Sequence, residues 1–493
     1  MQLWRFKTRT ESEQKSLPPR TTLPQWLLLV ASVAIATLTH EVSSYSILAL
    51  SVELLVVLNI ALLLVVARES LQTRTIGKCC LVGGTFLFYW VEALALALQK
   101  TPFGIAEGFP INESQFDQGL IRQALVYVTV FQLLLFVGYS VRPRLGSAVR
   151  YFAARMDSLS FDRWIIGFLL AVCAVLPLLI YYDFDYDKIV VALLASRSGV
   201  DFEAPEPGLS QHLALFGLYG AALFFLYALK ATTWRRLWWL FMAVLAAVPF
   251  LSGGTRHVWL YISLPSFLIV LRSFKGNLNT RRVMALVSAV SIVLLVAQAQ
   301  FAYRSVGWRE IGNVAPEDIT NLNNTGQFTA LLFAEYLVPK EHPYFREMTE
   351  PFFVIHWIPR QIWPEKPIME SWAYYDDSYT QGAAFNVTPS VIGQFHLNWG
   401  WPGVIFIGAW LGFLSFAADR VLMSLNPNRQ RAMFVVVGML YAFIISSFRF
   451  YSPVYFSYFL FGLLAMFLLT RRRPSPDAIF GLTPRLVPSV ETS

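Results

Sequence analysis

Long apolar runs, most of them 17 to 22 residues, alternate with short polar segments along most of this 493-residue chain. A helix needs about 20 mostly apolar residues to cross the hydrocarbon core of a bilayer. By that criterion the sequence predicts roughly twelve membrane-spanning helices. They lie near residues 23–39, 46–66, 79–98, 119–140, 164–182, 210–229, 237–251, 257–271, 283–300, 402–418, 432–448 and 453–470. The turn 252–255 (Ser-Gly-Gly-Thr) either joins two short spans or breaks a re-entrant pair.

Composition supports an all-α integral membrane protein. Hydrophobic residues make up 56% of the chain and charged residues only 14%, whereas soluble domains carry roughly 25% charged residues. The three cysteines all fall in apolar runs, as small hydrophobic core residues do. No C-x-x-C and no H-E-x-x-H sequence occurs, so we expect no zinc or redox centre and no cofactor.

The distribution of charge predicts the orientation of the spans. One set of alternate segments holds 27 of the 39 Lys and Arg residues and 8 acidic residues, while the other holds 11 basic and 21 acidic residues. Arg122, Glu53 and Glu92 lie within predicted spans. Basic residues concentrate on the cytoplasmic side, so we expect both termini inside, with 1–22 as a cytoplasmic tail and 471–493 as a disordered one. The net charge of +8 is therefore a sign of topology and of contact with anionic lipid, not of nucleic-acid binding.

One outer loop, residues 301–401, is far longer than a connection requires. It separates nine predicted spans in 23–300 from three in 402–470. Loops of this length are either functional or disordered, and its many Trp, Tyr and Phe residues disfavour disorder. Segments 324–338 and 343–357 carry apolar residues at mixed helical spacing, which predicts short amphipathic helices on the membrane face.

Within this loop, residues 356–367 concentrate proline, tryptophan and cations. Three prolines exclude an ordinary helix and hold the backbone stiff. Arg360 and Lys366 therefore lose little entropy on binding an anionic substrate. The candidate aromatic contacts are Trp357, Trp363, Trp372, Tyr374 and Tyr375. These rings either stack on sugar faces or form an interfacial aromatic belt.

Three further arginines lie at predicted outer ends of spans. Arg256 ends a Ser-Gly-Gly-Thr-Arg turn, where glycines permit close backbone approach and a guanidinium suits phosphate oxygens. Arg304 follows a span, where it either binds substrate or anchors the helix end. Arg449 lies between aromatic residues at the junction of the last two spans, a costly depth for an unpaired charge.

Sugar transfer also needs a general base, and carboxylates and histidines of the loop are the candidates. We favour His356, which is four residues from Arg360. The alternatives are His396, Glu335, Asp376 and Asp377. Glu92 is an acid within a predicted span and so a functional candidate, but it is remote in sequence from the loop.

These features together resemble the O-antigen polymerase (Wzy-type) family of bacterial membrane polymerases. The matching segments are Gly-Thr-Arg at 254–256, Pro-Arg…Trp-Pro-x-Lys-Pro at 359–367 and Thr-Pro-Ser…Gly…Gly-Trp-Pro-Gly at 388–403. The large loop before the last three spans is also similar. Arg197 and Gly208 fit the family's Arg-x10-Gly pattern.

The resemblance implies a GT-C-like, metal-independent glycosyltransferase of the bacterial inner membrane with its active site on the periplasmic side. The growing glycan would move from undecaprenyl diphosphate to the terminal sugar hydroxyl of another lipid-linked repeat unit. Partners would include membrane lipids, a chain-length regulator and a flippase. The expected catalytic residues are Arg256, Arg304, Arg360 and His356, with Lys366, Arg449, Trp357, Trp363, Tyr374, Tyr375 and Arg197 binding substrate.

Other functions fit the same sequence. An O-antigen ligase uses a similar lipid donor but transfers the glycan to lipid A-core. A twelve-span polysaccharide or lipid transporter is a second alternative, although no repeated halves are visible. A non-catalytic assembly subunit is a third.

Overall fold

The computed structural model describes the chain in separate ranges. These are 20–40, 45–99, 118–141, 164–181, 183–185, 209–251, 257–273, 327–348, 363–365, 367, 369–380, 388–425 and 431–451, with residues 288, 295–296, 358, 456 and 459–460. All regular structure in these ranges is helical, and they contain no strand.

Fourteen α-helices are described. They are α1 Leu23–His40, α2 Tyr45–Thr73, α3 Gly77–Thr85, α4 Val91–Gln99, α5 Gln118–Ser140, α6 Trp164–Tyr181, α7 Leu209–Lys230, α8 Thr233–Leu251, α9 His257–Ser273, α10 Gln327–Leu337, α11 Glu370–Thr380, α12 Val391–Trp399, α13 Trp401–Ser424 and α14 Arg431–Ser447, of which α3 and α4 are joined by a π-helical turn, Phe86–Trp90.

Helices occupy ten of the twelve predicted span positions. The other two, 283–300 and 453–470, lie almost wholly outside the described residues. Four of the described helices are each long and apolar enough to cross a membrane, by length and composition alone. They are Ile47–Thr73, Gly77–Ala95, Gln118–Ser140 and Trp401–Ser424. An α-helical chain with apolar helices of spanning length is confirmed, whereas the count of twelve and the GT-C-like arrangement stay predictions.

Helices α5 and α13 form the centre of the bundle, and they pack closely through glycines. A Cβ atom added to Gly412 would lie 2.0 Å from the Leu135 carbonyl oxygen, and one added to Gly138 would lie 2.0 Å from the Ala409 carbonyl oxygen. Glycine at such positions lets two backbones touch, which favours helix association within a bilayer. The contact between α5 and α13 therefore depends on having no side chain at Gly138 and Gly412.

Polar contacts gather at one end of the bundle, which we term the Asp419 end. The Asp419 carboxylate accepts hydrogen bonds from the Gly77 amide (3.0 Å) and from the Tyr139 hydroxyl (2.6 Å). Nearby, the buried Lys78 ammonium pairs with Glu69 at 2.7 Å. These contacts fix the start of α3 against α5 and α13.

The helices of the predicted outer loop pack at the opposite end. Helix α10 contacts α4, α5 and α12, and α12 leads directly into α13. Ten of the eleven residues of α10 are buried. The helix predicted over 324–338 is present, but its predicted place on the membrane face is wrong, because its neighbours cover α10 on every side.

The second predicted loop helix, over 343–357, is also wrong in its first part. Residues 343–348 are not helical and lie along the end of α12, where the Arg346 amide donates to the Asn398 carbonyl at 2.9 Å. Residues 349–357 lie outside the described part of the chain.

Candidate functional site

The candidate site lies where α10 and α12 meet α4 and α5, and Glu92 organises its first contact. The Glu92 carboxylate accepts hydrogen bonds from the backbone amides of Phe328 (2.7 Å) and Thr329 (3.2 Å) and from the Thr329 hydroxyl. It thereby satisfies amides at the start of α10 that have no partner within the helix. Glu92 follows the π-helical turn, a feature common near functional sites.

Glu335 lies near the other end of α10, and its carboxyl group is buried without a hydrogen-bond partner among the described residues. Its side chain is 5% exposed, and neither carboxyl oxygen has a hydrogen-bond partner among the described residues. Burial raises the pKa of Glu335 well above its ordinary value of 4.5. Burial therefore favours the protonated carboxyl group, which can donate a hydrogen bond.

His396, on α12, is the second buried titratable group of the site, and it is 1% exposed. Its Nε2 lies 2.9 Å from the carbonyl oxygen of Val338, just beyond the end of α10. A carbonyl oxygen only accepts, so Nε2 carries the proton and Nδ1 carries a lone pair. No described residue hydrogen-bonds to Nδ1. Burial also lowers the pKa of His396, so the ring is a neutral base at pH 7.

Helix α12, which carries His396, packs closely against α10, which carries Glu335. A Cβ atom added to Gly393 would lie 3.1 Å from the Cβ of Ala334, the residue before Glu335. Since Gly393 and His396 are three residues apart, they share one face of α12. We term Glu335, His396, Tyr127 and Tyr344 the junction site.

Aromatic rings surround the histidine. The rings of Tyr127 and Tyr344 meet His396 edge-on, with centroids at 5.0 and 5.9 Å. Tyr127 also stacks on Trp401 at 3.9 Å and interacts electrostatically with Glu335. Gly400, at φ +61°, makes room for the Tyr344 ring, which would lie 2.9 Å from an added Cβ.

Arg449 is the one predicted substrate-binding cation within the described residues. It is half-buried, and its Nε has no hydrogen-bond partner in the described ranges. The preceding carbonyl, of Phe448, accepts a hydrogen bond from the Tyr89 hydroxyl at 3.2 Å. At 3.5 Å the same oxygen also accepts from the Val391 amide at the start of α12. Arg449 therefore lies at the same end of the bundle as the junction site.

The other predicted cations and the favoured base cannot be placed. Arg197, Arg256, Arg304, His356, Trp357, Arg360 and Lys366 lie outside the described residues. Their roles stay predictions.

Three of the five predicted aromatic contacts, Trp363, Tyr374 and Tyr375, have different environments. Trp363 is 38% exposed, which suits contact with a sugar. Tyr374 packs against His342, with ring centroids 4.9 Å apart. Tyr375 is fully buried, and its hydroxyl donates to the Ala330 carbonyl at 3.2 Å. A ring so placed belongs to the core and does not fit the predicted sugar contact.

Sequence reasoning ranked His356 above Glu335 and His396 and set Glu92 aside. Glu92 and Thr329 are 237 residues apart, so no local pattern links them. It also overlooked Asp183 and Asp185, an Asp-x-Asp sequence after α6. Carboxylates suit hard divalent cations, so metal independence stays a prediction. Within the described ranges, no group of three His, Cys, Asp or Glu residues can hold a metal ion.

The comparisons with known proteins add no family. No protein-family model, curated protein or solved structure matches this chain.

Proposed function

We propose that this protein polymerises a bacterial surface polysaccharide from repeat units carried on undecaprenyl diphosphate. The observation that carries this proposal is the junction site, where the His396 ring, whose Nδ1 has no hydrogen-bond partner among the described residues, and the buried Glu335 carboxyl group both lie near Tyr127. Polar groups without partners are costly in a protein interior and are commonly kept for function. The resemblance of the C-terminal half to the O-antigen polymerase family supports the same reaction class.

The proposed reaction forms one glycosidic bond and breaks one sugar–phosphate bond. The acceptor hydroxyl oxygen attacks the anomeric carbon of the donor glycan, and its proton passes to Nδ1 of His396. The His396 ring is 1% exposed in this structure, so the junction must open for the acceptor to reach it. The bond between the anomeric carbon and the diphosphate oxygen breaks, and the diphosphate leaves with the electron pair. A positioned base contributes roughly 10²- to 10⁴-fold to such a step.

Cations near the site stabilise the departing diphosphate. Arg449 has an Nε with no partner in the described ranges and lies at the correct end of the bundle. A guanidinium binds phosphate oxygens through paired hydrogen bonds and stabilises negative charge as it develops. Arg256, Arg304 and Arg360 are proposed to complete this group.

The O-antigen ligase is the closest alternative, since it would use the same donor. The two functions differ in the acceptor, which the described residues do not define. In cells, loss of a polymerase leaves lipid A-core capped with single repeat units. Loss of a ligase removes all capped polymer.

The direct test uses purified protein and undecaprenyl diphosphate-linked repeat units, with products separated by size. We expect a ladder of lengthening glycans in the absence of lipid A-core. The same reaction with a chelator tests the Asp183–Asp185 pair, and an unchanged ladder supports a metal-independent step. Single units that never lengthen would contradict polymerase function, and transfer only to added lipid A-core would indicate a ligase.

A further inference from the structure

We infer that Glu92 is a positioning residue for the junction site, acting through helix α10. Glu92 lies on α4 and touches neither Glu335 nor His396 by any described hydrogen bond. Its carboxylate instead holds the first turn of the helix that carries Glu335. This inference rests on the proposed function for its catalytic meaning, although its structural part can be tested without catalysis.

The contact at the start of α10 uses a carboxylate from a distant helix. Three donors converge on the two oxygens of Glu92, two of them backbone amides. A negative charge at a helix N-terminus is favourable, and burial away from water strengthens it. Glu92 is 5% exposed, so water does not replace these hydrogen bonds.

Helix α10 connects the hydrogen bonds of Glu92 at its start to Glu335 and His396 at its other end. Glu335 lies seven residues beyond Phe328, which is about two helical turns or roughly 10 Å along the axis. The helix ends at Leu337, and the next carbonyl, of Val338, binds His396 Nε2. A shift or fraying of α10 therefore changes both the place of Glu335 and the tautomer of His396.

Within the described ranges, two other carboxylates cap a helix from a distance, and Asp419 serves as the matched control. Asp419 accepts hydrogen bonds from the Ile76 and Gly77 amides at the start of α3. Glu347 accepts from the Glu370 and Ser371 amides at the start of α11, at 2.8 and 3.0 Å. Only Glu92 caps the helix that carries a junction residue.

The test measures hydrogen exchange by mass spectrometry in the purified full chain, for the α10 amides and for the carbon-bound hydrogen of the His396 ring. The variants are Glu92→Ala, Glu92→Gln and Asp419→Asn. With Glu92→Ala we expect the α10 amides to exchange about tenfold faster, as loss of a helix cap predicts. The His396 pKa should rise toward 6.5 as the ring gains access to water.

Glu92→Gln keeps one accepting oxygen, so we expect a smaller change in the same direction. Asp419→Asn should speed exchange at α3 and leave α10 and His396 as in the unaltered protein. Peptides from α13 in each sample report whether the variant is folded. Unchanged α10 exchange in a folded Glu92→Ala variant would overturn the inference, as would an equal effect of Asp419→Asn on α10.

A catalytic readout separates this inference from the proposed function. In the polymer ladder assay, Glu92→Gln should lower kcat and leave KM for the lipid-linked donor nearly unchanged, because Glu92 does not contact substrate. If the unaltered protein forms no ladder, the proposed function fails, while the exchange results still decide the role of Glu92.

Discussion

Glu335 and His396 are both buried, and burial moves their pKa values in opposite directions because the charged form of each is disfavoured. Glu335 therefore keeps its proton in the folded protein, and His396 remains unprotonated. The pair provides one hydrogen-bond donor and one base without placing a net charge in the interior. Formation of an imidazolium on His396 during proton transfer would be the first charge that the described junction carries.

Stability should therefore depend on pH through Glu335. Its folded pKa lies above the unfolded value near 4.5, so the folded chain holds a proton that the unfolded chain loses as pH rises above 4.5. Stability from this group is fully present below pH 4.5 and falls as pH rises toward the folded pKa. Glu335→Gln removes the dependence, so its Tm should exceed that of the unaltered protein by more at pH 8 than at pH 5.

The size of this effect has an upper bound of about 1.4 kcal/mol per pH unit in the affected window. Thermal unfolding in detergent across pH 5 to 8 measures it. Glu341→Gln is the control, because Glu341 is exposed, and its Tm difference should not vary with pH. An equal slope in Glu335→Gln and the unaltered protein would contradict a buried, protonated Glu335.

Arg449 should act on the diphosphate. We expect Arg449→Ala to weaken donor binding about ten- to a hundredfold, since a hydrogen bond to a charged group contributes roughly 1.5–3 kcal/mol. The measurement is KM for the undecaprenyl diphosphate-linked donor, with expression level matched. Arg236→Ala is the control, because Arg236 is exposed at the end of the bundle opposite the junction site. Equal KM values for the two variants would remove Arg449 from the site.

At the level of elements, the sequence predicted helices where a long apolar run is sufficient to specify one. Helices α5, α6 and α7 begin and end within a residue or two of the predicted spans. Helix α10 has no long apolar run, so this criterion does not identify it. The mixed helical spacing over 324–338 predicts a helix there but not its burial. Its sequence contains Glu335 and Gln327 among apolar residues, and only tertiary contacts show that all but one of its residues are buried. The partners of Glu92 were likewise invisible, because the contact depends on how α4 and α10 pack.

The contact between α5 and α13 yields a prediction about packing. A methyl group at Gly412 meets the Leu135 carbonyl at 2.0 Å, so Gly412→Ala must push the helices apart. We expect destabilisation of about 1–3 kcal/mol, as for overpacked cores. Gly83→Ala is the matched control, since nothing lies within 4 Å of its added Cβ. Thermal unfolding should place Gly412→Ala well below the unaltered protein and Gly83→Ala at or slightly above it.

For the whole molecule, the orientation of the bundle in the membrane decides on which side the junction site lies. The basic bias of alternate segments predicts that the Asp419 end faces the cytoplasm and the junction site faces outward. In a variant whose three cysteines are replaced, a cysteine at Met348 should react with a membrane-impermeant maleimide in intact spheroplasts. A cysteine at Arg20 should react only after permeabilisation. Both positions are exposed, so the reverse pattern would contradict the topology.

The most direct test of the account compares ladder growth by the unaltered protein and by His396→Gln. Glutamine can still donate to the Val338 carbonyl, but its amide oxygen is far too weak a base to take the proton of the acceptor hydroxyl. His342→Gln is the matched control. In the unaltered protein the His342 ring stacks on Phe345, with ring centroids 4.3 Å apart. We predict that His396→Gln lengthens glycans roughly 10²- to 10⁴-fold more slowly while His342→Gln keeps the normal rate. Ladder growth by a folded His396→Gln variant at the rate of the unaltered protein would contradict the assignment of the junction site.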